Sequence, residues 1–230
     1  MLDRVTDDIF RIVLGRTNAY LVLDRPDRSA VLVDTGLPVH GRRVLDALAR
    51  LELAPERLRA ILLTHRHLDH CGSAAALHRH SGAPVVAHEA DAPGVQGTER
   101  SSPLRGVLDW TLGPLVALLD RRILRFEPCE VLPVRQGWAD LGFRLVHLPG
   151  HTPGSSGFVH TRSGVVLCGD AAVNPGGHLG QPSRPFTLDP RSARRSQLVL
   201  AELDAPVYCF GHGTPLLRGG PALRRLAEAD

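Results

Sequence analysis

A chain of 230 residues, 43% hydrophobic and 22% charged, is long enough to bury a substantial core and too apolar to be disordered or fibrous. All 27 basic residues are Arg, which excludes Schiff-base chemistry and a P-loop lysine, and a formal charge of +3 with acids and bases interspersed offers no phosphate-binding face. Cysteines at 71, 129, 168 and 209 form no CxxC pair, no basic n-region with a long apolar stretch opens the chain, and no apolar run approaches a membrane span, so reduced thiols, a cytoplasmic location and no membrane crossing are expected.

The chain opens with three short apolar or alternating runs, "IFRIVLG", "NAYLVLD" and "AVLVDTG", the last two separated by the turn "RPDR"; this is the pattern of a β-meander. Residues 40 to 53 carry Val44, Leu45, Leu48, Leu51 and Leu53 at helical spacing. "RAILLTH" then reads as a buried strand, "GSAAALHRHSG" as helix and "APVVAH" as strand. Beyond residue 126 the alternation resumes: strands "EVLPV" and "FRLVHLPG", the hairpin "SGFVHTRSGVVLCGD", a helix over about 190 to 203, the strand "PVYCFGHG" and a last helix from Pro221. Strands followed by helices in both halves predict a layered α/β protein, an αββα sandwich of two mixed sheets flanked by helices. We read it as one domain over 1–230 with two similar halves, about 1–92 and 126–230. Residues 93 to 125 between them form an apolar, helical insertion punctuated by Pro114, suited to a lid, a membrane-surface helix, a homodimer contact or plain core cover.

The chemistry is concentrated in "ILLTHRHLDHCG", residues 61 to 72, where an apolar run ends in His65, His67, Asp69 and His70. Side chains at alternate positions of a strand end converge on one point, and the adjacent Asp69 and His70 can serve a neighbouring one. Imidazole and carboxylate are ligands that zinc, manganese and iron accept. Three further candidates sit at strand ends beside glycine: His151 in "LPGHTPGS", Asp170 in "VLCGDAA" and His212 in "CFGHGTP". Glycine there lets backbone come close to a site. Seven such ligands on one edge of the sheets suit a dinuclear centre. His40, His78, His80, His88, His147 and His160 lack convergent partners and read as surface or structural histidines. His178, in the loop after Asp170, and Trp110, in the insertion, are candidate substrate contacts, and Cys71 reads as a small buried residue.

The ordered set THxHxDH, GHT, GD and GHG resembles the metallo-β-lactamase fold superfamily, with "VDTG" at 33 to 36 extending the likeness over nearly the whole chain. The resemblance implies that His65, His67 and His151 hold one metal, that Asp69, His70 and His212 hold the other, and that Asp170 bridges them. It also implies that Asp34 orients a ligand histidine through its other ring nitrogen. Two divalent ions, zinc before manganese or iron, lower the pKa of a shared water toward about 7 and make a bridging hydroxide at neutral pH. Asp69 and Asp170 are then the candidate catalytic acids, Asp69 as a proton acceptor as well as a ligand.

Within that superfamily, Asp170 and the missing export signal argue against a true β-lactamase. The ligands resemble glyoxalase II, although a chain without lysine departs from its glutathione-binding pattern. Ala171, Ala172 and Val173 stand where lactonases carry a tyrosine. The expectation is a hydrolase of a small ester, thioester or lactone, with a small-molecule substrate and no nucleic-acid partner. Alternatives are a persulfide dioxygenase with one iron and a phosphodiesterase or nuclease of the same fold; His67 disfavours a flavodiiron protein, and retention of all seven ligands disfavours a non-catalytic relative.

Overall fold

Apolar side chains at alternate positions of consecutive strands build the first sheet. The computed structural model describes residues 1–99, 126–135 and 139–229. The sheet has seven strands in chain order: β1 (Leu2–Arg4), β2 (Ile9–Leu14), β3 (Thr17–Asp24), β4 (Ser29–Val33), β5 (Leu58–Leu62), β6 (Val85–His88) and β7 (Leu132–Val134). Pairings are antiparallel as far as β4 and parallel from β4 to β7. Parallel neighbours need a crossover. Helix α1 (Gly41–Arg50) supplies it between β4 and β5; α2 (Leu68–Cys71) and α3 (Ala74–Ser81) supply it between β5 and β6, and the short α4 (Ala92–Val95) follows β6.

Six strands form the second sheet: β8 (Ala139–Asp140), β9 (Phe143–His147), β10 (Ser156–His160), β11 (Val166–Gly169), β12 (Val207–Phe210) and β13 (Leu216–Leu217), in the order β13-β12-β11-β10-β9-β8. The predicted hairpin at 156 to 170 contains β10 and β11, antiparallel. β11 and β12 are parallel, joined through α5 (Pro190–Glu202), and α6 (Gly220–Glu228) follows β13. Asp189 starts α5 by accepting from the N–H groups of Arg191 and Ser192, two donors that the first helical turn leaves without partners.

The two-residue period sorts each strand into two cores, as the layered αββα expectation requires. Val31, Val33, Ala60 and Leu62 face the other sheet's Leu145, Phe158, Leu167 and Cys209. Their neighbours Leu32, Ile61 and Leu63 turn outward onto Val44 and Leu48 of α1. Val146, Val166 and Phe210 likewise meet Leu200 of α5 and Leu223 of α6. Leu62 is fully buried, so truncation to Ala should cost about 2–5 kcal/mol in transfer and cavity energy.

At one edge the sheets are tied by polar bonds as well as by packing. Asn18 N–H donates to Gly211 C=O at 2.8 Å, Ser156 N–H to Thr64 C=O at 2.9 Å, and the Tyr20 hydroxyl to Phe210 C=O at 2.8 Å. β4, β5, β9, β11 and β12 all end along this edge, and the loops that follow carry the polar residues singled out above. Among the described residues no helix is long and apolar enough to cross a membrane. Of the insertion, only 93 to 99 fall among the described residues; the helices expected beyond that, Trp110 and the dimer contact all lie outside them.

Candidate metal centre

Strand β5 stops at Leu62, and the chain bends at Thr64 and Arg66 before His67, extended at φ −66° and ψ 143°, leads into α2. This brings His65 and His67 to one place and lifts Asp69 and His70 on the first turn of α2. His151 arrives from the loop after β9, Asp170 directly after β11 and His212 two residues after β12. Gly211 permits the last approach, because a Cβ there would lie 2.2 Å from Asp170 Oδ1 and 2.6 Å from His70 Cε1.

The seven residues predicted from sequence converge. Ligand atoms of His65, His67 and His151 lie within 4.8 Å of one another, as do those of His65, His70 and Asp170 and those of Asp69, His70 and His212. Asp170 stands between the groups: Oδ1 is 3.6 Å from His70 Nε2, while Oδ2 is 3.5 Å from His151 Nε2 and 3.1 Å from His212 Nε2. Asp69 Oδ2 lies 3.6 Å from His70 Nε2 and 3.5 Å from His212 Nε2.

The donor chemistry fits metal ions. Nε2 of His65, His67, His70 and His151 and Oδ1 of Asp170 are buried without a hydrogen-bond partner, a costly arrangement for five polar atoms unless a cation satisfies them. On His65, His70, His151 and His212 the opposite ring nitrogen is occupied, which is how proteins aim an imidazole at a metal. His70 Nδ1 is 2.9 Å from Asp34 Oδ2, His151 Nδ1 is 3.2 Å from the Thr187 hydroxyl, and His212 Nδ1 is 2.8 Å from Arg16 C=O. His65 Nδ1 lies 3.1 Å from the Thr64 hydroxyl, which itself donates to Asp34 Oδ2 at 2.8 Å. Asp34 therefore touches His70 directly and His65 through Thr64.

Burial, followed by the other histidines, holds His65 and His67 well below the ordinary imidazole range, in the neutral form a metal requires. Burial lowers His151 as well. His70 runs the other way: burial opposes its charge, but Asp69, Asp170 and Asp34 outweigh it and raise the ring to about 10. Burial would raise Asp170, yet His70 and His212 pull its carboxyl well below the usual carboxylate range. A cation entering the cluster therefore competes with the proton that these carboxylates favour on His70.

The centre forms the floor of a cavity of about 1080 Å³. Leu14, Leu37, Phe126 and Phe186 are among its walls, and Arg16 from the β2–β3 turn and Asn18 from the start of β3 also line it. His178 is not part of that wall. Val173 and Gly180 pair through two backbone bonds, so residues between them project as a tip on which His178 is exposed, while Pro175 and Gly176 line the cavity. His40 takes the structural place expected of it. It is buried, its Nδ1 accepts from Leu37 N–H at 3.1 Å, and it borders the cavity. Cys71 is buried, with its thiol pushed up by burial. Sequence reading also missed Thr187 and Asp91. Thr187 carries no signal of its own, and Asp91, after "VVAHEA", is marked only as an acid at a strand end.

The model of the metallo-β-lactamase superfamily matches residues 12–212. An uncharacterised protein of Mycobacterium tuberculosis is 36% identical over 212 residues, 85% of each chain. A hydroxyacylglutathione hydrolase of Haemophilus influenzae is 28% identical over 209 residues, 90% of each. Among solved structures, a protein crystallised in a di-iron-bound form superposes with a TM-score of 0.69 at 29% identity, covering 92% of this chain and 95% of its own.

Proposed function

The chain belongs to the metallo-β-lactamase superfamily, and on that premise we propose that it is a dinuclear metallohydrolase cleaving a small ester, thioester or lactone. One observation carries this reading: four unpartnered imidazole nitrogens and a carboxylate oxygen converge on the floor of a largely apolar cavity. His65, His67 and His151 would hold one ion, Asp69, His70 and His212 the second, and Asp170 both. Divalent ions there, zinc in the first instance with manganese or iron as the other candidates, would supply Lewis acidity at the carbonyl and water made acidic enough to attack at neutral pH.

The chain's own residues do the rest. Asp34, Thr187 and the Arg16 carbonyl fix the imidazole rings, so little reorganisation accompanies the reaction. Asp69 has a side chain 36% exposed at the cavity, placed to take a proton from the attacking water and return it to the departing oxygen or sulfur. Leu14, Leu37, Phe126 and Phe186 exclude water and suit an acyl chain. The 28% identical hydroxyacylglutathione hydrolase, a thioesterase by its name, supports keeping thioesters in the substrate class. Four unpaired thiols support the cytoplasmic assignment.

Metal content per chain, measured by plasma mass spectrometry on protein purified without added metal or chelator, is the first test. About two equivalents of zinc or manganese, with turnover in a panel of esters, thioesters and lactones, is the expected result. One equivalent of iron together with oxygen consumption on a persulfide would sink the hydrolase reading. The di-iron form of the 29% identical structure makes iron the metal to watch.

A further inference from the structure

Ligands delivered by loops from two different sheets need a device that sets the distance between the loops. Arg66, between His65 and His67, donates its backbone N–H to Asp91 Oδ2 at 3.0 Å. Thr152, next to His151, donates its hydroxyl to the same oxygen at 2.5 Å, and Gly154 N–H reaches Asp91 Oδ1 at 2.9 Å. The Asp91 side chain is fully buried, and its own N–H is bonded to His88 C=O at the end of β6, which anchors the carboxylate to the first sheet. Gly154 is fitted to this contact: a Cβ there would stand 2.6 Å from Asp91 Cγ and 2.7 Å from its backbone nitrogen.

We propose that Asp91 is a positioning residue for the three-histidine half of the centre, a clamp that holds the strand end carrying His65 and His67 against the turn carrying His151. The inference rests on reading the cluster as a metal centre. The Asp91 carboxylate is hydrogen-bonded to none of the three imidazoles; it acts through the residues beside them. None of its hydrogen bonds reaches Asp69, His70 or His212. Asp34 divides the work with it, since its contacts lie with His70 and, through Thr64, with His65. Releasing the clamp should therefore weaken one ion selectively, whereas a carboxylate needed only for folding would weaken both together.

The test is stepwise release of zinc to a competing chelator from zinc-loaded wild type, Asp91→Asn and Thr152→Val. His67→Ala and His212→Ala assign which step belongs to which half. Asp91→Asn keeps the shape but presents an amide to donors that require an acceptor; Thr152→Val removes a single bond. The three-histidine step should weaken by about 10–100-fold in Asp91→Asn, by less in Thr152→Val, and the other step should stay in place. Both steps unmoved in both variants, or both moved equally, overturns the clamp. If Asp91→Asn fails to fold, Thr152→Val decides alone by the same criterion. Wild type that takes up no zinc, manganese or iron is a separate result and overturns the metal centre itself.

Discussion

Replacing Asp34 separates backbone strain, buried hydrogen bonding and metal orientation at one position. The residue sits at φ 59°, in the left-handed region that Asp, Asn and Gly tolerate and Ala does not. It is buried, and its carboxylate accepts from Thr64 N–H at 2.8 Å, the Thr64 hydroxyl at 2.8 Å and His70 Nδ1–H at 2.9 Å. Truncation leaves those donors without an acceptor, at about 1–3 kcal/mol each. Asp34→Gly should thus lose at least about 3 kcal/mol, and Asp34→Ala about 1 kcal/mol more because its Cβ opposes the left-handed backbone. The usual order, with Ala more stable than Gly, is inverted here.

Asp34→Asn behaves differently again. Its carbonyl can still accept from Thr64 and its backbone is unstrained, so stability should fall least. Its amide group, however, meets His70 Nδ1 as a donor and drives the proton to Nε2, the atom that must ligate. Zinc affinity should drop by about 10–100-fold with the fold intact. Urea unfolding of the metal-free variants and chelator competition for zinc measure the two effects separately. Equal stability of the Gly and Ala variants, or wild-type zinc affinity in Asp34→Asn, would refute the reasoning.

Asp170→Ala should abolish hydrolysis while leaving the circular dichroism spectrum unchanged; a variant with full metal content and wild-type turnover would contradict its place between the two ligand groups. Zinc at a thousandfold excess over its dissociation constant should stabilise the chain by about 4 kcal/mol, or about 8–16 °C in melting temperature for a chain of this size, and chelation should remove that shift. His88 is pushed down to about 4, by burial first and by stacking on His147 with ring centres 4.0 Å apart. The unfolded chain therefore binds a proton that the folded chain refuses, so this contribution is complete above pH 6.5 and disappears as pH falls toward 4. In zinc-loaded protein, His88→Asn, whose amide oxygen can still accept from Ala90 N–H as His88 Nδ1 does at 3.2 Å, should flatten the pH slope of stability in that window. An unchanged slope would contradict the assignment to His88.

What was legible in the sequence is what depends on near neighbours in the chain. Val31, Val33, Ala60 and Leu62 reveal their strands through a two-residue period, and Val44 and Leu48 reveal α1 through a helical one, because those periods arise within a few residues. Four of the seven candidate ligands share six positions, and the other three stand beside glycines at strand ends. Asp34 was legible through the resemblance that "VDTG" carries, since local pattern marks it only as a polar residue closing an apolar strand. β1 was missed because Leu2–Arg4 is too short to show alternation. His178 shows that following Asp170 in sequence is not the same as facing it: in the tip set by the Val173–Gly180 pairing, Pro175 and Gly176 line the cavity while His178 is exposed. That His40, at the start of α1, also borders the cavity shows only in the packed fold. Asp91 shows the limit most clearly, since its hydrogen bond to Thr152 spans 61 residues and its bond to Arg66 N–H spans 25. A ligand is recognisable by side-chain type and local turn; a residue that spaces two loops acquires its role only once both loops are folded, and Gly154→Ala tests that from the opposite side. With Asp91 unchanged, the added methyl should push the His151 turn outward and weaken the three-histidine step of zinc release as Asp91→Asn does. Zinc release unchanged in Gly154→Ala would mean that the close approach of Gly154 to Asp91 does not set the ligand spacing.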